Sequence, residues 1–308
     1  MSEDITRLVM DQLQTERKRD RRASYFKYSV IGLLGLAYVG AALVGMSRAD
    51  DTPSQPYAAL VRVSGEIMPG KDASAQAVNP LLERAFADNN AKGVVLLINS
   101  PGGTPVQSAL IHDRIQELKK KHNKKVVAVG EDMMTSGAYM IAVAADEIVV
   151  NRSTITGSIG VVSRGFGFTG LMDKLGVERR VMTAGEAKNL LDPFGPQSDQ
   201  DKAKQGELLQ AIHNHFKDTV KQGRGERLKA DTPGLFSGTV WTGDTAVTAG
   251  LVDKLGDAKS AAKESFGADK LYEYSTPKSL VENLMGGLGV KVAQELKPKV
   301  EGPLAMPY

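Results

Sequence analysis

With 308 residues, 42% of them hydrophobic and 24% charged, the chain has an ordinary globular composition and enough apolar side chain for a full core. It contains no cysteine, which excludes disulfides, thiolate catalysis and cysteine-based zinc sites. The formal charge of +3 is slight, and much of the basic excess sits in Arg17, Lys18, Arg19, Arg21 and Arg22, just before an apolar run. Membrane topology explains that cluster more economically than nucleic-acid binding.

Residues 1–27 are polar, with Ile5, Leu8, Val9 and Leu13 near helical spacing, and are read as a cytoplasmic segment. No charged residue occurs from Tyr28 to Met46, close to the ~20 residues an apolar helix needs to cross a bilayer, so a transmembrane helix is expected over 28–47. Its basic N-terminal flank predicts a cytoplasmic N-terminus and an extracytoplasmic remainder after Arg48. A cleavable signal peptide is the competing reading. The late start, the long apolar part and the lack of a small-x-small site at Gly45 to Asp50 weigh against it. A linker over 48–56 contains Pro53 and Pro56.

Beyond the linker, apolar runs alternate with amphipathic ones, the pattern of a parallel sheet with crossover helices. Strands are expected at 58–63, 93–99, 125–129 and 147–150, and helices at 106–120, 137–145 and about 201–222. A mixed region ends near Gly256. One domain is expected over 57–271. The tail, 272–308, carries Pro277, Gly286, Gly287, Pro298 and Pro303 and reads as loosely attached.

Three segments concentrate unusual residues where apolar runs end. In Asn99-Ser100-Pro101-Gly102-Gly103-Thr104 the paired glycines let the backbone expose N–H groups, as an oxyanion hole requires, although Pro-Gly-Gly also suits an ordinary turn. In Met133-Met134-Thr135-Ser136-Gly137-Ala138-Tyr139 a serine opens a helix, either as a nucleophile in positive potential or as a plain N-cap. Lys188 precedes Leu190, Leu191 and Phe194, which could desolvate it. An ordinary lysine is less than about 0.1% neutral at pH 7, so a general base needs that burial, and a lone lysine is otherwise a solvated charge.

These segments resemble the bacterial signal peptide peptidase family, SppA, whose members use a Ser-Lys dyad on a ClpP/crotonase-like α/β fold of repeated β-α units with a parallel sheet. The resemblance covers about Tyr57 to Gly256. It rests on Asn-Ser-Pro-Gly-Gly at 99–103, Thr-Ser-Gly-Ala-Tyr at 135–139, Thr-Gly-Ser-Ile-Gly-Val at 156–161, Lys188 ahead of Asp-Pro-Phe at 192–194, and Val-Trp-Thr-Gly at 240–243 with Gly-Leu-Val-Asp-Lys-Leu-Gly at 250–256. It implies Ser136 as nucleophile, Lys188 as base and Ser158 as the hydroxyl that orients the lysine. Gly103 and Gly137 would donate the oxyanion-hole N–H groups, with Gly102 assisting the turn. Glu186 should point away from Lys188, because a carboxylate beside it would hold the amine protonated. The resemblance also implies a ring-like homo-oligomer with active sites shared between subunits, no cofactor, peptide substrates, and a single-pass bacterial inner-membrane location with the catalytic domain outside.

Competing readings are weaker. A Ser-His-Asp enzyme would need one of His112, His122, His213 or His215, and all lie on or beside polar helices. No His-Glu-x-x-His spacing occurs, so no metal is expected. An acyl-CoA enzyme of the crotonase type would share the fold but not the need for Ser136 and Lys188. A non-catalytic membrane scaffold would not need a neutral lysine. Trp241 reads as packing. Met133, Met134, Phe166 and Phe168 suit a specificity pocket, the core or an oligomer contact equally well.

Overall fold

The computed structural model describes residue 21 and residues 24–40 and 56–275, with only the backbone of Glu186. The chain divides into two compact units, and the first contains residues 24–40. These form an exposed helix. Among the described residues no helix is long and apolar enough to cross a membrane. The expected span continues into 41–47, outside the described residues, as do nearly all of the expected cytoplasmic segment and linker and the tail from 276.

The second unit is built on one eight-stranded sheet. Its strands are β1 (Tyr57–Ser64), β2 (Ala91–Ser100), β3 (Val126–Thr135), β4 (Glu147–Val150), β5 (Ile155–Gly157), β6 (Val240–Thr242), β7 (Lys254–Leu255) and β8 (Leu271–Tyr274). The main path runs β6-β5-β3-β2-β1-β8, with β4 on β3 and β7 on β4. Every pairing is parallel except β5 with β6. This is the expected mostly parallel α/β architecture.

Burial on both faces explains why β1 to β3 read as nearly unbroken apolar runs. Ala59, Val61, Val94, Leu96, Ile98, Val126 and Ala128 share a core with α1 (Ala75–Ala87), α2 (Pro105–His122) and α3 (Gly137–Ala142). The alternate residues Ala58, Leu60, Val95, Leu97, Val127 and Val129 pack with Ala261 and Ala262. In chain order the remaining helices are α4 (Thr169–Leu175), α5 (Asp199–Arg224), α6 (Gly243–Thr248) and α7 (Ala258–Phe266), which carries those two alanines.

The expected strands and helices are present with altered ends, and two differences have physical causes. Helix α1 was not expected, because Pro80 stands inside it and breaks the helical reading. Its start is tied down from outside, with Ser74 Oγ accepting from Ala77 N and Gln107 Oε1 from Ala75 N. Strand β8 runs across the expected domain boundary at 271. It pairs with β1 from Ala58↔Leu271 to Val61↔Tyr274, and Tyr57 Oη and Tyr274 Oη both reach Asp88, at 2.6 and 2.8 Å. Burial, with the Asp88 bond next, pushes the Tyr57 hydroxyl up to about 12.

Helix α5 is anchored through its last residue. Arg224 is buried, donates two 2.8 Å bonds to Asp253 and gives its Nε to Gly250 O at 2.9 Å. Asp253 also accepts from Ile148 N at 2.7 Å, which accounts for an aspartate within the Gly250–Gly256 motif. Burial pulls the Asp253 carboxyl up, but the bonds and charge of Arg224 outweigh it, so its pKa lies below the ordinary value.

Replacing Arg224 with Met leaves that carboxylate only the Ile148 N–H and a longer 3.3 Å bond from Arg227, and chemical denaturation at neutral pH should show a loss of up to about 3–5 kcal/mol. A depressed folded-state pKa means that the pair's contribution is present above the unfolded carboxylate value of about 3.9 and is lost as pH falls through the folded value. The stability gap between wild type and Arg224→Met should therefore narrow on acidification, and a gap constant down to pH 3 would count against this account.

Candidate active site

Strand β3 does not stay beside one neighbour. Val127 to Gly130 pair with β4, whereas Met133 to Thr135 pair with β5. On its other side Ile98 pairs with Gly130 and Ser100 with Met134, so three β3 residues bulge opposite the single residue Asn99. A bulge bends its strand and re-aims the residues beyond it. Side chains hold this one. Asn99 Nδ2 donates to Asp132 Oδ2 and Asn99 Oδ1 accepts from Met133 N. Thr154 Oγ1 donates to Glu131 O at 2.6 Å, and Thr156 Oγ1 to Met134 O at 2.8 Å.

The bulge delivers Ser136 to the point where α3 begins. A capping serine has extended backbone and bonds a helix N–H. Ser136 instead has φ 54° and ψ −123° and makes no side-chain cap bond. Such a conformation costs on the order of 1–3 kcal/mol and persists only where its surroundings enforce it. Here both peptide groups are fixed, Ser136 N to Gly157 O at 2.8 Å and Met140 N to Ser136 O at 3.0 Å. The half-buried hydroxyl has no hydrogen-bond partner among the described residues. Ser136 thus holds the N-cap position of α3 without capping it through its side chain.

Ser158 lies alongside, because Thr135 pairs with Gly157 in parallel register. It too has left-handed backbone, φ 51°, with its N–H on Thr239 O at 2.8 Å. Gly157 sits under Trp241, whose Cδ1 would be 2.6 Å from a Cβ there, so Trp241 packs as expected.

The glycine turn closes over Ser136 from β2. Gly102 has φ 96°, and a Cβ on it would lie 2.7 Å from Gly137 N and 2.8 Å from Ser136 Cβ. Gly103 forms a bridge with Ile67 in which Ile67 N donates to Gly102 O and Thr104 N to Ile67 O. The bridge therefore uses both polar groups of Ile67 and leaves the Gly103 N–H on the far side. Gly103 N is 3.2 Å from where a Cβ on Gly137 would stand. The Gly137 N–H, in the first turn of α3, has no acceptor within the helix. Two uncommitted backbone donors thus meet beside an uncommitted hydroxyl, which is the equipment for stabilising an oxyanion.

Two buried serines that were not singled out from the sequence support this arrangement. Ser100 Oγ accepts from Gly102 N at 3.1 Å, and Ser108 Oγ donates to Thr104 O at 3.1 Å.

Lys188 stands elsewhere. It lies on the 3-10 turn Glu186–Asn189 and is exposed, with no hydrogen bond to Ser136 or Ser158 among the described residues. Within one chain Leu191 and Phe194 do not bury it, being 68% and 42% exposed themselves. The surrounding segment folds on itself. Phe168 stacks on Phe194 at 5.3 Å, and Arg179 meets Asp192 at 2.6 Å. An open cavity of about 520 Å³ between α4 and Phe194 is apolar on one side, with Phe168, Leu171, Leu175 and Val177. Phe166 and Phe168 belong to this segment, and Met134 is core. The side chain of Glu186 lies outside the described part of the chain. His112 contacts Asp113, and His213 approaches Ile159 O, roles in packing and on the surface. No group of metal-ligating side chains occurs among the described residues.

The family model for peptidase family S49 matches residues 118–270, and that for Clp protease matches residues 57–172. A Brucella abortus protein named "Na(+)/H(+) antiporter NhaA" is 46% identical over 237 residues, 75% of this chain but 32% of that protein. The chain thus spans about a third of the length of the first relatives it matches. An Enterococcus faecium protein named "Putative signal peptide peptidase SppA" is 32% identical over 180 residues, 58% of this chain and 52% of its own. A Synechocystis protein named "Putative protease slr0021" is 32% identical over 247 residues, 77% of this chain and 85% of that protein. With that coverage, and with the glycine turn, Ser136 and Ser158 assembled as described, the chain belongs to peptidase family S49.

Proposed function

We propose that the chain is a membrane-anchored serine endopeptidase. It hydrolyses peptide bonds in signal peptides or other membrane-released or unfolded peptides through an acyl-enzyme on Ser136. The observation that carries this reading is the strained backbone of Ser136, which keeps its hydroxyl free beside the Gly103 and Gly137 N–H groups. A scaffold gives no reason to maintain that strain. An acyl-CoA enzyme would need the oxyanion donors but not the held serine.

Neutral Lys188 takes the proton from Ser136 as the oxygen attacks the peptide carbonyl, and the Gly103 and Gly137 N–H groups receive the resulting oxyanion. The lysine passes that proton to the leaving amine as the C–N bond breaks. It then deprotonates a water, which attacks the ester and returns the serine. Ser158, which directly follows β5, orients the lysine. No cofactor takes part.

Lys188 reaches a serine by coming from a neighbouring subunit in a ring-like homo-oligomer. Its segment has few ties to the core and exposes Met182 at 99% and Phe166 at 81%, apolar surface that a second copy would cover while desolvating the lysine. The uncharged run from Tyr28 to Met46 and its basic flank support a single-pass inner-membrane anchor with the peptidase outside.

The full chain should cleave fluorescent casein and an apolar signal-like peptide, and Ser136→Ala and Lys188→Ala should each lose at least about 1,000-fold in turnover. Mixed and reassembled at equal ratio, the two inactive variants should recover about a quarter of wild-type activity, as random assembly of shared sites requires. No recovery from well-mixed oligomers would reject sharing, and full activity of Lys188→Ala would reject the dyad. Membranes carrying the full chain should retain it through an alkaline carbonate wash, and release into the supernatant would reject the anchor.

A further inference from the structure

We propose that Ser108 is a positioning residue for the oxyanion hole, setting the gap between the Gly103 and Gly137 donors; this rests on the peptidase reading. The first sign is in the pattern of α2. Its buried stripe runs Ser108, Ile111, Ile115, Leu118, and only its first member is polar. A buried hydroxyl is unfavourable unless bonded, so an apolar side chain is the default at such a position.

The contacts give the hydroxyl a use. Ser108 Oγ donates to Thr104 O at 3.1 Å, the same carbonyl that accepts Ser108 N at 3.2 Å. Thr104 directly follows Gly103, so this double attachment fixes the Thr104–Pro105 peptide, two peptide groups on from the Gly103 N–H. The same oxygen lies 2.3 Å from where a Cβ on Gly137 would stand, which puts it against the backbone of the residue that carries the other donor. One small side chain therefore links the end of the glycine turn, through Thr104, to Gly137 at the start of α3. Alanine would remove the spacer and the Thr104 bond. A larger side chain would drive α2 and α3 apart, because interiors do not yield freely.

Misplacement of a preorganised donor lowers transition-state stabilisation without touching ground-state binding. In the full-length oligomer, Ser108→Ala should lower kcat for a quenched fluorescent apolar peptide by roughly 10–100-fold. KM should stay within about twofold, because the weakened donor bonds form only in the transition state. A peptide boronic acid, whose boron takes the Ser136 oxygen to form a tetrahedral adduct, should lose affinity in step with kcat. An uncleavable peptide of the same sequence should bind as to wild type.

Ser108→Cys, which keeps a weak donor but carries a larger atom, should also lose kcat and covers the case in which the alanine variant fails to assemble. A folded Ser108→Ala or Ser108→Cys oligomer with wild-type kcat and boronate affinity overturns the proposal. Equal weakening of the boronate and the uncleavable peptide also overturns it, since that marks general loosening. If a fluorophosphonate fails to label Ser136 in the wild-type protein, the peptidase reading falls, and this inference falls with it.

Discussion

The change of neighbour along β3 is the constraint on which the site depends. A strand that paired with β4 along its whole length would end inside the sheet, with its last residues covered on both sides. Three residues opposite Asn99 give β3 the extra length to leave β4 and join β5, and the Thr154 and Thr156 hydroxyls bind the displaced carbonyls. The turn into α3 then falls against the turn at the end of β2. Neither turn alone makes a site. Gly102 and Gly103 gain chemical meaning only because Ser136 and Gly137 are pressed against them.

That pressing is possible because the parts are small. Glycines and serines fill the contact, and hydroxyls rather than charges satisfy its buried polar groups. Among the described residues the fully buried charged side chain, Arg224, serves architecture far along the chain, pinning the end of α5 to Asp253. Strain is allowed at Ser136 and Ser158 for the same reason. Each has its backbone N–H committed to a carbonyl of another turn, Gly157 O and Thr239 O, so a local cost is met by long-range bonds.

The segment around Lys188 follows different rules. Its aromatic stack and the Arg179–Asp192 pair are contacts within the segment, and much of its apolar surface faces outward. Within one chain Lys188 is exposed and makes no hydrogen bond to Ser136 or Ser158 among the described residues.

The sequence by itself determined the parallel α/β sheet, because strands buried on both faces must be apolar throughout, and 94–98 and 126–129 are. It also marked the glycine turn at 99–103, whose paired glycines can expose backbone N–H groups, and Ser136 at the opening of a helix, while Ser158 came only with the family resemblance. It hid α1 behind Pro80. It held no sign of Ser108, an ordinary serine until Gly137 is seen against it. Tertiary structure alone decided that the Ser136 side chain caps nothing, that β3 forks and that β8 pairs with β1. It also decided that Leu191 and Phe194 leave Lys188 uncovered within one chain. These are contacts between residues tens to hundreds of positions apart, and local pattern reports what a residue can do, whereas only packing fixes what it touches.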